Sequence, residues 1–348
     1  MSGTDSLLNA FTQSLFTESE HIKALHGVLR AKIKKSFIEL IQEAQRKLDQ
    51  DLGLHQIEAL DCAQRFSPFL YFNYFLLLEG MLEQNIKKVK EIGPYLRNFN
   101  INKYYSLSLI IEDKENELIA EYQKKYSLKS EGKKVIFERV SPQLYEQAKN
   151  YIFEVLTIID KTNTNLFNEI NELISVIQIF KEYSSGASSS LQYFGMIIMR
   201  CSHLPSPQQQ LLHFFDTLVH ESSHIFLNLL MAFDPIILNS HEIYLSPARQ
   251  TPRPLKGIFH AHFVFLRLIF MYQLAEEFLA EPNEQKHYSK EDFEYPIGKL
   301  PYLFYLRLNA YKEKLKESEL IISQHAQLTE FGAKFMKCLT REGQQCLA

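Results

Sequence analysis

Apolar residues recur at three- and four-residue steps through residues 17–49, where Ile22, Leu25, Leu29, Ile33, Phe37, Leu40, Ile41, Ala44 and Leu48 share one stripe. That spacing predicts a long amphipathic helix. Thr17 and Glu20 at its start have the spacing of a capping box, in which hydroxyl and carboxylate satisfy orphaned backbone donors. An apolar, aromatic block over about 69–92 predicts a second, buried helical region. Residues 104–111 and 135–137 are short β-prone runs and predict strands. Ser141-Pro142 opens another helix, whose stripe is Leu144, Ala148, Ile152, Val155, Leu156 and Ile159.

A further helix is expected over 164–182, ending in Ser184-Ser185-Gly186-Ala187-Ser188-Ser189-Ser190. This small-residue tract reads as a flexible connection and a candidate loop over a site. Residues 191–201 predict a buried strand, and Ser206-Pro207-Gln208-Gln209 caps a helix running to about Met231, before Asp234-Pro235 stops it. Residues 303–322 and 329–339 predict the last two helices. The pattern therefore predicts an α+β fold, predominantly α. It divides into a helical region over 1–185 and a second region over 186–348 that holds a strand, the capped helix and another core helix.

Composition narrows the class. The chain has 348 residues, 46% hydrophobic and 23% charged, enough to bury a substantial core without long disorder. A formal net charge of −3 gives no reason to expect a nucleic-acid or acidic-membrane partner. The four cysteines lack C-x-x-C spacing, so neither a disulfide framework nor a thiolate metal site is suggested. The most apolar stretch, FSPFLYFNYFLLLEGML, is broken by Ser67, Pro68, Asn73 and Glu79, and no signal-peptide pattern opens the sequence. The expectation is a cytoplasmic protein.

The chemistry concentrates in LVHESSHIFL, residues 218–227. On a helix, His220 and His224 are one turn apart on one face, so both imidazoles reach one metal ion. Glu221, rotated by about 100°, lies beside the open metal position and is the candidate catalytic carboxylate. Asp216, one turn before His220, is a candidate to orient its ring, with His213 on the same stripe. A third ligand is needed, and the downstream candidates are His241, Glu242, His260, His262, Glu276, Glu277 and Glu281. His260 and His262 are two apart, so they point to different sides of a helix and only one is expected to coordinate. Between the two helices, Tyr244 to Pro254 carries three prolines that favour extended backbone, with Arg249 and Arg253 four apart. In an extended chain they would face one side roughly 13 Å from each other, suited to forked binding of carboxylates.

H-E-x-x-H, then S-P-x-R-x-x-P-R-P, then a glycine three before a histidine, resembles the HExxH-type peptide-modifying proteins of bacterial biosynthetic clusters. The likeness covers about residues 190–270, with its specific part in 220–260. It implies an Fe(II)- and 2-oxoglutarate-dependent oxygenase that hydroxylates side-chain β-carbons of a ribosomally made precursor peptide. It further implies His220, His224 and His260 around the metal, with Arg249 or Arg253 near the cosubstrate. The helical region over 1–185 would then recruit the peptide. Two other readings of the same residues stay open. In a zinc peptidase, Glu221 would be the general base and Glu276 or Glu277 the third ligand. A metal-stabilised interaction module would instead have a closed four-ligand site.

Overall fold

The computed structural model describes residues 3–97, 108–110, 137–183, 186–201, 206–279 and 300–347. In chain order the helices are α1 (Gly3–Ala10), α2 (Ser19–Leu48), α3 (Leu54–Glu58), α4 (Pro68–Leu82), α5 (Ile86–Arg97), α6 (Pro142–Thr162), α7 (Thr164–Leu173), α8 (Pro207–Met231), α9 (Leu255–Leu279), α10 (Leu300–His325) and α11 (Glu330–Leu347). The strands are β1 (Ser108–Ile110), β2 (Phe137–Arg139), β3 (Val176–Tyr183), β4 (Ala187–Ser188), β5 (Met196–Arg200), β6 (Ile243–Leu245) and β7 (Pro252–Pro254). The fold is thus α+β and predominantly α. The elements gather into two compact units, each drawn from separated stretches of chain: residues 1–21, 146–170 and 202–348 in one, residues 22–145 and 171–201 in the other. These units and the linear division at 185/186 are different partitions of the chain.

In the unit built from 22–145 and 171–201, β3 is the central strand. β5 runs parallel along one edge, while β1 (parallel) and β2 (antiparallel) share the other. β4 adds antiparallel to the far side of β5. The stretch 176–182 is therefore strand, not the end of a helix. Val176, Ile177, Ile179 and Phe180 are all buried, and a β-branched run buried on both faces belongs to a central strand. Apolarity alone could not separate that from a buried helix. The small-residue tract is also structured where it is described: Ala187 and Ser188 form β4, and Ser190 caps the turn at Leu191–Tyr193. Residues 184 and 185 lie outside the described residues. The strand expected over 191–201 begins only at Met196, behind Gly195. Gly195 has φ 87° and its carbonyl accepts from the Ser175 and Val176 amides at 2.7 and 3.1 Å, a left-handed corner that favours glycine.

The long amphipathic helix is α2, and Ile22, Leu25, Leu29, Ile33, Phe37, Ile41 and Ala44 of its stripe are buried, with Leu40 half-buried. Its capping box does not form, because the Thr17 hydroxyl is buried without a partner among the described residues. The block at 69–92 is two helices, α4 and α5, separated where Gln84 takes φ 53°. Within the same unit a polar cluster is buried under α2. His26 Nδ1 lies 2.8 Å from Glu172 Oε1 and 2.7 Å from Arg30, and Arg30 also reaches Glu172 at 3.2 Å.

The other unit is a helical body. Ser206 caps α8 through the Gln209 amide at 3.2 Å, with Pro207 in the first turn, as its sequence predicts. α9 is long and apolar enough to cross a membrane by length and composition, yet most of that stretch is buried inside the protein, as in a core helix. Its Arg267 is completely buried. The guanidinium meets both oxygens of buried Glu169 at 2.9 Å and lies over the rings of Phe16, Phe226 and Phe263. Burial holds Glu169 up to about 7 against the opposing pull of Arg267. After α8, the chain from Asp234 to Asn239 is stitched to residues 325–329. Thr329 bonds Asp234 at 2.6 Å, the Leu238 amide donates to the Gln327 carbonyl at 2.7 Å, and Asn239 donates to the His325 carbonyl at 2.8 Å.

Candidate metal centre

His220 and His224 leave α8 one turn apart, and α9 brings His260 to the same place. His224 Nε2 lies 3.2 Å from His220 Nε2, and His224 Nδ1 lies 3.2 Å from His260 Nδ1. The ring centroids are 4.8 and 5.4 Å apart. Both nitrogens of an imidazole border Cε1, so His220 and His260 flank one edge of the His224 ring. Two neutral imidazoles at this distance share one proton in an N–H···N bond. A nitrogen separation near 3.2 Å is also the edge of a polyhedron built from metal–nitrogen bonds of about 2.0–2.1 Å. As the rings stand, no three histidine, cysteine or carboxylate groups converge as a metal-holding set among the described residues. The His220–His224 pair supplies two corners. His260 stands beside that pair with its Nδ1 facing His224.

The electrostatics suit such a role. His224 is held well below the ordinary imidazole value, first by burial, then by the charges of His220, His260 and Arg249. Burial, with Lys256 adding to it, pushes His260 down to about 3. Both residues keep some exposed surface, but desolvation of the rings dominates. Imidazoles that stay neutral keep the lone pair a metal needs. His260 Nε2 faces Met231 Sδ at 3.2 Å, and a thioether only accepts. The proton therefore sits on Nε2, leaving the lone pair on Nδ1, the side facing His224. Sequence reasoning missed Met231. Its place on the stripe, seven residues after His224, was the signal available.

The other candidates scatter. His262 points away from His260, its Nδ1 3.1 Å from the Ser318 hydroxyl, and burial lowers it to about 4. Glu221 is buried, 6% exposed. Asp216 does not hold His220; its carboxylate accepts from the Tyr311 hydroxyl at 2.8 and 3.0 Å and from Tyr272 at 3.1 Å. His241 and Glu242 are exposed. Glu276 and Glu277 are on α9, and sixteen residues of helical rise set Glu276 about 24 Å from His260. Glu281 lies outside the described residues.

No known family model matches the chain, and no curated protein matches it.

The arginine segment is a hairpin rather than an extended run. β6 and β7 pair antiparallel, and the chain reverses between them through bonds from the Gln250 amide to the Ser246 carbonyl (2.8 Å) and from Ser246 to Thr251 (2.9 Å). Gln250 takes φ 53°, the left-handed step the turn requires. Arg249 therefore sits exposed in the turn and Arg253 half-buried in β7, so the same-side spacing of an extended chain does not apply. The hairpin is fastened to the start of α9, where the Leu255 amide donates to the Glu242 carbonyl at 2.8 Å and Lys256 to Ser240 at 2.9 Å. It runs straight into the helix that carries His260.

Proposed function

We propose that the chain is an Fe(II)- and 2-oxoglutarate-dependent oxygenase that hydroxylates a side-chain β-carbon in a ribosomally made peptide. The observation that carries this reading is the meeting of His220, His224 and His260, with the His224 and His260 rings desolvated and held below the ordinary imidazole value and His224 within the field of Arg249. Iron bound there with the keto acid would supply the oxidant for a C–H bond. The chain's own contribution is to keep the His224 and His260 rings neutral, to fix the His260 tautomer through Met231, and to hold an arginine for the distal carboxylate of 2-oxoglutarate. Arg249 is favoured for that carboxylate because its charge reaches His224; Arg253 is the alternative on the same hairpin.

A zinc peptidase with Glu276 or Glu277 as third ligand is less well supported. About 24 Å of helix separates Glu276 from His260, far beyond the reach of a glutamate side chain. The test is turnover. Iron-loaded protein should convert 2-oxoglutarate to succinate, alone or with peptide, and Arg249→Ala should raise the KM for 2-oxoglutarate more than it lowers kcat. Absence of succinate under every metal and peptide condition would sink the reading.

A further inference from the structure

The β6–β7 hairpin has one open edge and one blocked edge. The Leu255 amide bonds the Glu242 carbonyl and the Ser246 amide bonds the Thr251 carbonyl, so these are the hydrogen-bonded rungs on either side of the strand pair. In an antiparallel ladder such rungs alternate. Tyr244 and Arg253 therefore form the rung between them, and Ile243–Pro254 and Leu245–Pro252 are the non-bonded pairs. That assignment is chemically required, since proline has no N–H to give. The N–H and C=O groups of Ile243 and Leu245 thus point away from β7. The outward positions of β7 are Pro252 and Pro254, which offer no donor. Among the described residues this sheet has only two strands.

The side chains point the same way. Leu238, Ile243 and Leu245 are 58%, 58% and 60% exposed, three large apolar side chains within residues 238–245. Ile243 and Leu245 share one face of the ribbon, opposite Tyr244, which stacks on His325 with ring centroids 4.4 Å apart. An exposed apolar strand with unpaired backbone groups is a template for another strand. Glu242, exposed at the start of this edge, adds a negative charge there. The edge is also continuous with the candidate centre, because His260 is the sixth residue of the helix that follows β7.

We propose that the open edge of β6 docks the peptide substrate, taken up as an extended segment that adds a third strand through the backbone of Ile243 and Leu245. Its residues at alternate positions are apolar and cover Ile243 and Leu245, and a basic residue lies at the Glu242 end. The proposal rests on the oxygenase reading for the identity of the peptide as substrate.

The experiment is selection from a random library of blocked heptapeptides by the full chain, without metal or 2-oxoglutarate. Selected peptides should carry β-branched or aromatic residues at alternate positions and a lysine or arginine toward one end. N-methylation of their amides should weaken binding by about tenfold at alternate positions and leave it unchanged at the others, a readout that needs no change in the protein. Leu245→Pro, which deletes an outward donor and no ladder bond, should weaken the same peptides by a similar factor, and Glu242→Gln should remove the preference for a basic end. The proposal falls if no peptide binds below millimolar concentration, or if N-methylation is tolerated at every position. It also falls if the edge instead pairs with a second copy of the chain, seen as a dimer that Leu245→Pro dissolves and the peptides do not compete. Because binding is read without metal, edge-dependent binding with no succinate would remove the oxygenase reading and leave the docking. Succinate formation that Leu245→Pro leaves unchanged with these peptides would do the reverse.

Discussion

Met231 shows how much one side chain can decide at the candidate centre. Its sulfur gives the Nε2–H of His260 a partner at 3.2 Å and so turns the lone pair of Nδ1 toward His224. Met231→Leu keeps the volume and removes the acceptor, and metal affinity measured by competition with a chelator should fall by about tenfold, as for other groups that orient ligands. His260→Ala should fall further, and a variant that bound metal as tightly as the wild type would exclude His260 as a ligand. His220 and His224 were legible in the sequence because helical spacing alone puts them on one face. His260 rested on the resemblance, since nothing local distinguishes it from His262. The partners of Asp216 were not legible: Tyr272 and Tyr311 are 56 and 95 residues away, and no spacing rule connects them.

At the scale of elements, the two Ser-Pro helix starts were legible, because Ser141-Pro142 and Ser206-Pro207 carry their own chemistry, whereas the Thr17 start of α2 was misread. β3 was not, since a short apolar run buried on both faces has no period to read. The hairpin was concealed by its prolines. They bias the residues beside them toward extended backbone but leave Arg249 and Gln250 free to turn. A tight contact supports the loop between α8 and this hairpin. Ile236 takes φ 64°, strained for a β-branched residue, and is held there as its carbonyl accepts from the Thr329 amide at 3.0 Å. Gly332, in the first turn of α11, sits so close that an added Cβ would overlap the Ile236 carbonyl. Gly332→Ala should therefore cost about 1–3 kcal/mol in denaturant unfolding, despite alanine's better helix propensity, and a neutral or stabilising result would contradict this packing.

Across the whole molecule, acid should act first through imidazoles kept neutral. Burial lowers His26 from 6.5 to about 4, outweighing the raising effect of Glu172. A depressed folded value means the unfolded chain takes up the proton first, so stability present above about pH 6.5 is lost as pH falls toward 4. The contribution is up to about 3 kcal/mol. The Glu172 carboxyl, held low by His26 and Arg30 although burial opposes them, adds loss in the same direction at lower pH. Urea unfolding at pH 7 and pH 4.5 should show this loss, and His26→Gln should flatten it; an unchanged slope would exclude His26 as its source. The α+β class was legible from periodicity, but the interleaving was not, because strand pairs such as β1–β3 join residues about 70 apart without a local signature. That interleaving has a consequence for the order in which the protein can be made. Every residue of the unit formed by 22–145 and 171–201 has left the ribosome once the tunnel clears residue 201, so it can close while synthesis continues. Glu169 and Phe16 are also made early, but their partner Arg267 comes about 100 residues after Glu169. Until then a carboxylate and a phenyl ring that end in the core must wait in water, and the unit carrying the histidines is the last to form.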